Sequence, residues 1–243
     1  MLFHLFLAAV AIVAGGIASV AGFGIGSLLT PALALRTGTK LAVAAIAIPH
    51  FIATVQRFWI LRRHVDRRVL LGFGIASAAG GLAGALAHTG ASSRALAVIF
   101  GVLLVLAGAS QLSGWMEHVR WGRVSAWTAG ALSGALGGLV GNQGGIRSAA
   151  MLGFDVPKEA FVATATAVAI FVDLARLPVY LATQGRQIAS VWPPVLIATA
   201  GAVIGTALGT RVLGHLPPRA FRSVIGVLLV VLGVYMIGTS IAR

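Results

Sequence analysis

Eight long apolar segments follow one another along this chain of 243 residues, and short polar connections separate them. Hydrophobic residue types make up 58% of the chain and charged residues only 9%, whereas soluble domains carry roughly 25% charged residues. Because such a chain cannot cover a water-facing surface, we predict an all-α polytopic membrane protein. The predicted segments are Leu2–Leu35, Leu41–Leu61, Val69–Ala87, Ala95–Leu112, Val124–Leu152, Ala160–Thr183, Val191–Leu213 and Ala220–Ile241.

The charge of the chain is strongly basic, with 18 Lys and Arg against 5 Asp and Glu. In a soluble protein this excess would suggest binding to nucleic acid. Here most basic residues lie between apolar segments, where they act as topology signals and contact anionic lipids. We therefore predict membrane lipids as partners and no nucleic acid.

Several kinds of chemistry are excluded by residue type. The chain has no Cys, so a disulfide, a thiolate metal site and a cysteine nucleophile are impossible. No HExxH, GxSxG or Walker A pattern occurs, and 5 acidic residues leave little for a metal cage. We predict no enzyme activity, no metal and no cofactor.

The two halves of the chain repeat one another, with an offset that grows from 119 to 125 residues. We predict two homologous four-segment repeats, residues 1–112 and 124–243, joined by a loop at 113–123. Transporters are often duplicated in this way, with the substrate site between the halves near mid-membrane. The recurring patterns are GVLLVLAG at 101–108 and GVLLVVLG at 226–233, the glycine pair at 80 and 84 and at 201 and 205, and the glycine cluster at 22–26 and at 141–145.

The first and fifth segments are too long for one straight crossing. They contain 34 and 29 residues, whereas a crossing needs about 20, and each contains one of the two glycine clusters. Glycine permits turns, so we predict that each repeat opens with a glycine-broken or re-entrant helix. Broken backbone at this depth must be buried in protein or line a wet cavity.

The distribution of basic residues bears on topology. Without Arg57, Arg147 and Arg176, 15 basic residues remain; eight full crossings divide them 8 to 7, whereas six crossings plus two re-entrant hairpins divide them 10 to 5. The second division follows the positive-inside rule better and makes the halves inverted. Residues 2–22 alone could span the bilayer, so eight full spans stay open.

The two glycine clusters are candidate anion sites, because a broken helix frees backbone N–H groups and presents a positive half-helix N-terminus. The alternative is that these glycines only let helices pack closely. The candidate substrate contacts are Gly22, Gly24, Gly26, Gly141, Asn142, Gln143, Gly144 and Gly145.

Three arginines inside or beside apolar segments are candidates to neutralise an anion. Arg57 and Arg176 are separated by 119 residues, the offset of the glycine clusters, and Arg147 follows the second cluster. The alternatives are snorkelling for Arg57, a structural pair with Asp173 for Arg176, and an interfacial anchor for Arg147. The residue equivalent to Arg147 in the first half is Leu28, so the halves differ here.

Two intramembrane residues are candidates for proton coupling, His50 and Asp173. A lone membrane histidine more often bonds a neighbouring helix, and Asp173 could simply neutralise Arg176. The other histidines, including His88, lie near segment ends and are expected to face water or lipid headgroups.

At its glycine clusters the sequence resembles the TauE/SafE-type sulfite exporter family. The first cluster, GFGIG at 22–26, is followed by Pro31, and the second, GNQGG at 141–145, by an apolar run. Leu216-Pro217 leading into residues 221–229 is similar to the family's closing pattern. The sequence departs from the family at Gln143 in place of glycine, at Ala150 in place of proline and at the added Arg147. The resemblance implies transport of sulfite, sulfonates or related sulfur anions across a bacterial cytoplasmic membrane.

These features together predict a secondary transporter of a small anion that works by alternating access. A passive anion channel and a membrane subunit of a larger assembly are the alternatives. The sequence leaves open the direction of transport, the coupling ion and whether the chain forms a homo-oligomer.

Overall fold

The structure is a computed structural model that describes residues 1–115, 123–141, 144, 147, 151, 154, 157–213 and 217–241. Within these ranges every regular element is helical, as predicted. A 3₁₀ turn, Arg62–His64, joins the third and fourth helices. The helices are α1 (Leu2–Ala21), α2 (Ile25–Thr37), α3 (Thr39–Leu61), α4 (Arg67–Gly90, with π-helical bonding at Leu70–Gly74), α5 (Ser93–Ser113), α6 (Arg123–Val140), α7 (Lys158–Ser190), α8 (Trp192–Leu213) and α9 (Pro218–Ile241).

Seven helices within the described residues are long and apolar enough to cross a membrane. They are α1, α3, α4, α5, α7, α8 and α9; in α6 the apolar stretch Trp127–Val140 is shorter. Large apolar side chains such as Val227 and Val231 are exposed along their outer faces, as expected for surfaces that contact lipid. The chain is therefore a multi-pass membrane protein.

The predicted break in the first apolar segment is present at its glycine cluster. Gly22 and Gly24 have φ angles of 78° and 133°, which side-chain-bearing residues rarely adopt. The guanidinium carbon of Arg36, near the end of α2, lies 4.3 Å from the centre of the Phe3 ring, near the start of α1. Both ends of the segment therefore lie at the same end of the bundle, and α1 and α2 form a hairpin.

The fifth segment also ends its first helix at a glycine. α6 stops at Val140, and Gly141 has a φ of 76°, close to that of Gly22. The amides of Gly22 and Gly141 each donate to the carbonyl four residues earlier, at 3.0 and 2.9 Å. Asn142, Gln143 and Gly145 lie outside the described residues.

Close packing of helix backbones at glycines holds the bundle together, as is common in membrane proteins. α1 runs parallel to α8, where Gly15 contacts the backbone of Ala202, and α6 runs parallel to α4, where Gly134 contacts the backbone of Ser77. Each of these glycines lies so close to the facing backbone that a Cβ atom would collide with it.

The α5–α9 pair relates the two halves. Gly101 packs on Gly233 and Gly108 on Gly226, so the two helices run antiparallel. Since GVLLVLAG on α5 matches GVLLVVLG on α9, an operation that superimposed the repeats would reverse their direction across the membrane. This arrangement supports the inverted duplication, which stays a prediction.

Local side-chain caps fix the start of α4. Asp66 accepts hydrogen bonds from the amides of Arg68 and Val69 at 2.9 and 3.0 Å, as an N-cap residue does. The Asp66 amide donates to the Thr164 hydroxyl on α7 at 2.9 Å. These contacts anchor the basic connection between α3 and α4 to the long helix α7.

Candidate functional site

The two interrupted segments meet inside the bundle. Gly26, in the first turn of α2, lies so close to the carbonyl of Gly141 that no side chain would fit there. Gly144 lies equally close to the Phe23 side chain. The structure thus brings Gly26 of one half together with Gly141 of the other, and Phe23, which lies between Gly22 and Gly24, together with Gly144.

Arg57 lies inside the bundle on α3 and is 6% exposed. Its Nη1 donates to the Ala18 carbonyl at 2.6 Å and its Nε to the Thr166 hydroxyl at 3.2 Å. Ala18 belongs to the last turn of α1, where carbonyl groups give the helix end a negative partial charge. The snorkelling alternative is therefore wrong, and Arg57 stabilises the end of the interrupted helix.

Arg176 makes the corresponding contact in the second half. Its Nη1 donates to the Gly137 carbonyl, in the last turn of α6, at 2.8 Å. Its Nε and Nη2 lie 2.9 and 2.7 Å from Oδ1 of Asp173. The alternative pairing with Asp173 is present, and it coexists with the contact to the helix end.

Arg147 is the least satisfied of the three arginines. It is 2% exposed, which does not fit an interfacial anchor. One terminal nitrogen, Nη2, lies 3.4 Å from the Gly22 carbonyl, while Nε and Nη1 are buried and have no hydrogen-bond partner among the described residues. Buried guanidinium N–H groups without acceptors are costly, so a negatively charged ligand would stabilise this arrangement.

The surroundings of Arg147 carry an excess of positive charge. Arg147 interacts electrostatically with Arg57, Arg176 and Asp173. Nδ1 of His50 lies 2.7 Å from Oδ2 of Asp173. With His50 neutral, the three guanidinium groups and one carboxylate among the described residues leave two positive charges, and intramembrane charge of this kind usually marks an ion or substrate site.

Two further polar side chains on α7, Tyr180 and Gln184, extend this cluster and were missed from the sequence. Asp173, Arg176, Tyr180 and Gln184 are all buried and recur every three or four residues, so they occupy one face of the helix. The Tyr180 hydroxyl donates to the carbonyl of Gly138. Attention to this spacing could have revealed the stripe, because polar residues at helical period rarely occur in a membrane span.

His88 was expected to face water or headgroups, and this expectation is wrong. His88 is fully buried. Its Nδ1 lies 2.8 Å from the Leu139 carbonyl, and its ring centre lies 4.9 Å from that of Tyr180. Three successive carbonyls of the last turn of α6, at residues 137, 138 and 139, therefore contact side chains from α4 and α7.

The fold and this site define a class of protein: a polytopic membrane protein in which two interrupted helices meet at a buried, positively charged cluster, as in membrane transporters. A comparison with family models matches residues 7–236 to the family described as Sulfite exporter TauE/SafE. The chain belongs to this family, whose members are transporters rather than enzymes. Searches of curated proteins and of solved structures gave no match to the chain.

Proposed function

We propose that this protein is a secondary transporter of a small sulfur oxyanion, such as sulfite or an organosulfonate, in the bacterial cytoplasmic membrane. The choice of a sulfur-containing anion is based on the family to which the chain belongs. The observation that best supports an anionic substrate is the environment of Arg147. This buried guanidinium lies beside the break between α1 and α2 and has two nitrogens without a hydrogen-bond partner among the described residues. A planar, permanently charged guanidinium is well suited to bind two oxygens of an oxyanion.

Backbone groups of the interrupted helices would provide further donors. The amides of Ile25 and Gly26 precede the first intrahelical bond of α2, which joins the Leu28 amide to the Gly24 carbonyl at 3.0 Å. Gly22 has open space where a Cβ atom would lie. An anion between Arg147 and the start of α2 would also interact favourably with the α2 dipole. Asn142, Gln143 and Gly145 are proposed to contribute from the second cluster.

Arg57 and Arg176 have a different role in this proposal. Each is already hydrogen-bonded to the last turn of an interrupted helix, so neither is fully available to a ligand. They fix the positions of the two helix ends and add positive charge to the region that holds the anion. Their contribution to affinity is therefore electrostatic as well as structural.

We propose that the protein works by alternating access between two hairpins that enter the membrane from opposite sides. The first segment returns to the side from which it starts, since Arg36 lies over Phe3. In an inverted duplication the second segment would do the same from the opposite side, and the tips would meet at the substrate. Movement of one half against the other would then expose the anion to each side in turn.

The test is uptake of radiolabelled sulfite and methanesulfonate into proteoliposomes. Arg147→Leu introduces the residue found at the equivalent position 28, where leucine is buried and tolerated. Loss of charge-assisted hydrogen bonds of about 1.5–3 kcal/mol corresponds to affinity reduced by roughly 10- to 100-fold. Arg186→Leu, at an exposed position on α7, is the matched control and should transport normally.

Two results would contradict the proposal. Unchanged transport by Arg147→Leu would remove Arg147 from the substrate site. Unitary currents in planar bilayers, in place of saturable flux, would favour the anion channel instead.

A further inference from the structure

His50 and Asp173 form a buried hydrogen-bonded pair between α3 and α7. The Nδ1–Oδ2 distance is 2.7 Å, and the other carboxylate oxygen, Oδ1, is held by Arg176. Because a carboxylate oxygen accepts, we assign the Nδ1 position of His50 as protonated. The nitrogen that can gain or lose a proton is then Nε2, and the His50 side chain keeps 14% of its surface exposed.

The charged groups that face His50 determine how protonation of Nε2 changes the net charge of the site. Among the described residues, they are Asp173 and Arg176 from α7 and Arg147 from the fifth segment. With neutral His50, the cluster of these residues and Arg57 carries two positive charges. Protonation of Nε2 would raise this to three and make the cluster more attractive to an anion, while a bound anion would in turn favour the protonated histidine.

We infer that this protein moves one proton together with each anion, and that Nε2 of His50 carries the proton. This inference rests on the proposed function, because it assigns the coupling ion of the same site. One N–H bond forms at Nε2 on the side where the anion binds, and the same bond breaks on the side where the anion leaves. The anion and the proton cross in the same direction, since each stabilises the state that binds the other.

The polar stripe of α7 continues from the pair along the helix and includes further buried polar groups. From Asp173 the stripe continues through Arg176 and Tyr180 to Gln184, about 16 Å along the helix axis. Both amide atoms of Gln184, and Nε2 of His88 beside Tyr180, are buried without a hydrogen-bond partner in the described part of the chain. The Gln184 amide can bind water, and Nε2 of His88 can bind water or a proton. Polar residues inside membranes often belong to proton relays.

The experiment measures proton uptake on anion binding by isothermal titration calorimetry. The probe is methanesulfonate, because this anion of a strong acid binds no proton itself near neutral pH. The titrations are made at one pH in buffers of different ionisation enthalpy. The slope of the observed binding enthalpy against the buffer ionisation enthalpy is the number of protons taken up on binding. We expect a positive slope of up to one proton for the wild-type protein.

His50→Gln keeps a side chain that can donate to Asp173 but cannot titrate. We expect weaker methanesulfonate binding with a slope of zero, whereas His64→Gln, at an exposed position in the α3–α4 connection, should retain the wild-type slope. A zero slope in the wild-type protein, or an unchanged slope in His50→Gln, would overturn the inference. Absence of both methanesulfonate and sulfite binding to the wild-type protein would instead overturn the proposed function.

A second measurement needs no variant of the pair. Wild-type proteoliposomes that contain a pH-sensitive dye should acidify internally when an inward methanesulfonate gradient is applied. Methanesulfonate entry without acidification would contradict proton coupling and leave anion transport standing.

Discussion

Arg57 and Arg176 hold the ends of two different interrupted helices through the same atom. Nη1 of Arg57 donates to the Ala18 carbonyl at 2.6 Å, and Nη1 of Arg176 to the Gly137 carbonyl at 2.8 Å. In each case donor and acceptor are 39 residues apart. The equivalence ends there, because Arg57 bonds a hydroxyl through Nε whereas Arg176 bonds a carboxylate.

This difference predicts unequal effects on stability. Arg176→Gln would leave the buried carboxylate of Asp173 without its guanidinium, at a cost of about 3–5 kcal/mol. Arg57→Gln would leave a hydroxyl and a carbonyl that keep other hydrogen bonds, at about 1–3 kcal/mol. Thermal unfolding in detergent should therefore show a larger decrease in Tm for Arg176→Gln.

The double variant Asp173→Asn/Arg176→Gln provides the control for this interpretation. Because it removes the uncompensated carboxylate, it should recover part of the Tm lost in Arg176→Gln. A double variant less stable than Arg176→Gln would contradict a role for Arg176 in neutralising Asp173.

The contact between the two glycine clusters predicts a position-specific loss of transport. A methyl group at Gly26 would collide with the Gly141 carbonyl, and overpacking of this kind costs about 1–3 kcal/mol. Gly26→Ala should separate the helix tips and reduce sulfite uptake by at least 10-fold. Gly238→Ala on α9, where a Cβ atom meets nothing within 4 Å, should transport normally; equal activity of both variants would show that tip contact is unimportant.

The hairpin formed by α1 and α2 predicts membrane topology. The chain has no native Cys, so single-cysteine variants can be labelled without background. Leu2→Cys and Arg36→Cys should react with an impermeant maleimide from the same side of the membrane, and His64→Cys from the other. By the positive-inside rule, the side of His64 is cytoplasmic. Labelling of residues 2 and 36 from opposite sides would favour eight full spans.

The sequence predicted those residues of the site that recur in both halves or that interrupt an apolar segment. The offset of 119 residues paired Arg57 with Arg176 and the two glycine clusters with each other. The acceptors of both arginines are backbone carbonyls, and every residue has such a group, so no residue type marks them. His88 was misplaced for the same reason, because its burial depends on the carbonyl of Leu139, 51 residues away.

The replacement of leucine by arginine at one of two equivalent positions allows a direct test of the duplication. Position 28 in the first half corresponds to position 147 in the second, and both residues are buried. If the halves are related by symmetry, an arginine at position 28 would approach the second helix tip as Arg147 approaches Gly22. The double variant Leu28→Arg/Arg147→Leu should therefore recover sulfite uptake well above that of Arg147→Leu alone.

The matched control moves the same charge to a buried position that has no such relation. Leu33 also lies on α2 and is fully buried, so Leu33→Arg/Arg147→Leu introduces an arginine into the same helix away from the tip. This variant should transport no better than Arg147→Leu alone, because a buried charge supports anion binding only where backbone donors converge with it. Equal activity of the two double variants, both verified as folded by size-exclusion chromatography, would show that net charge rather than symmetry determines transport.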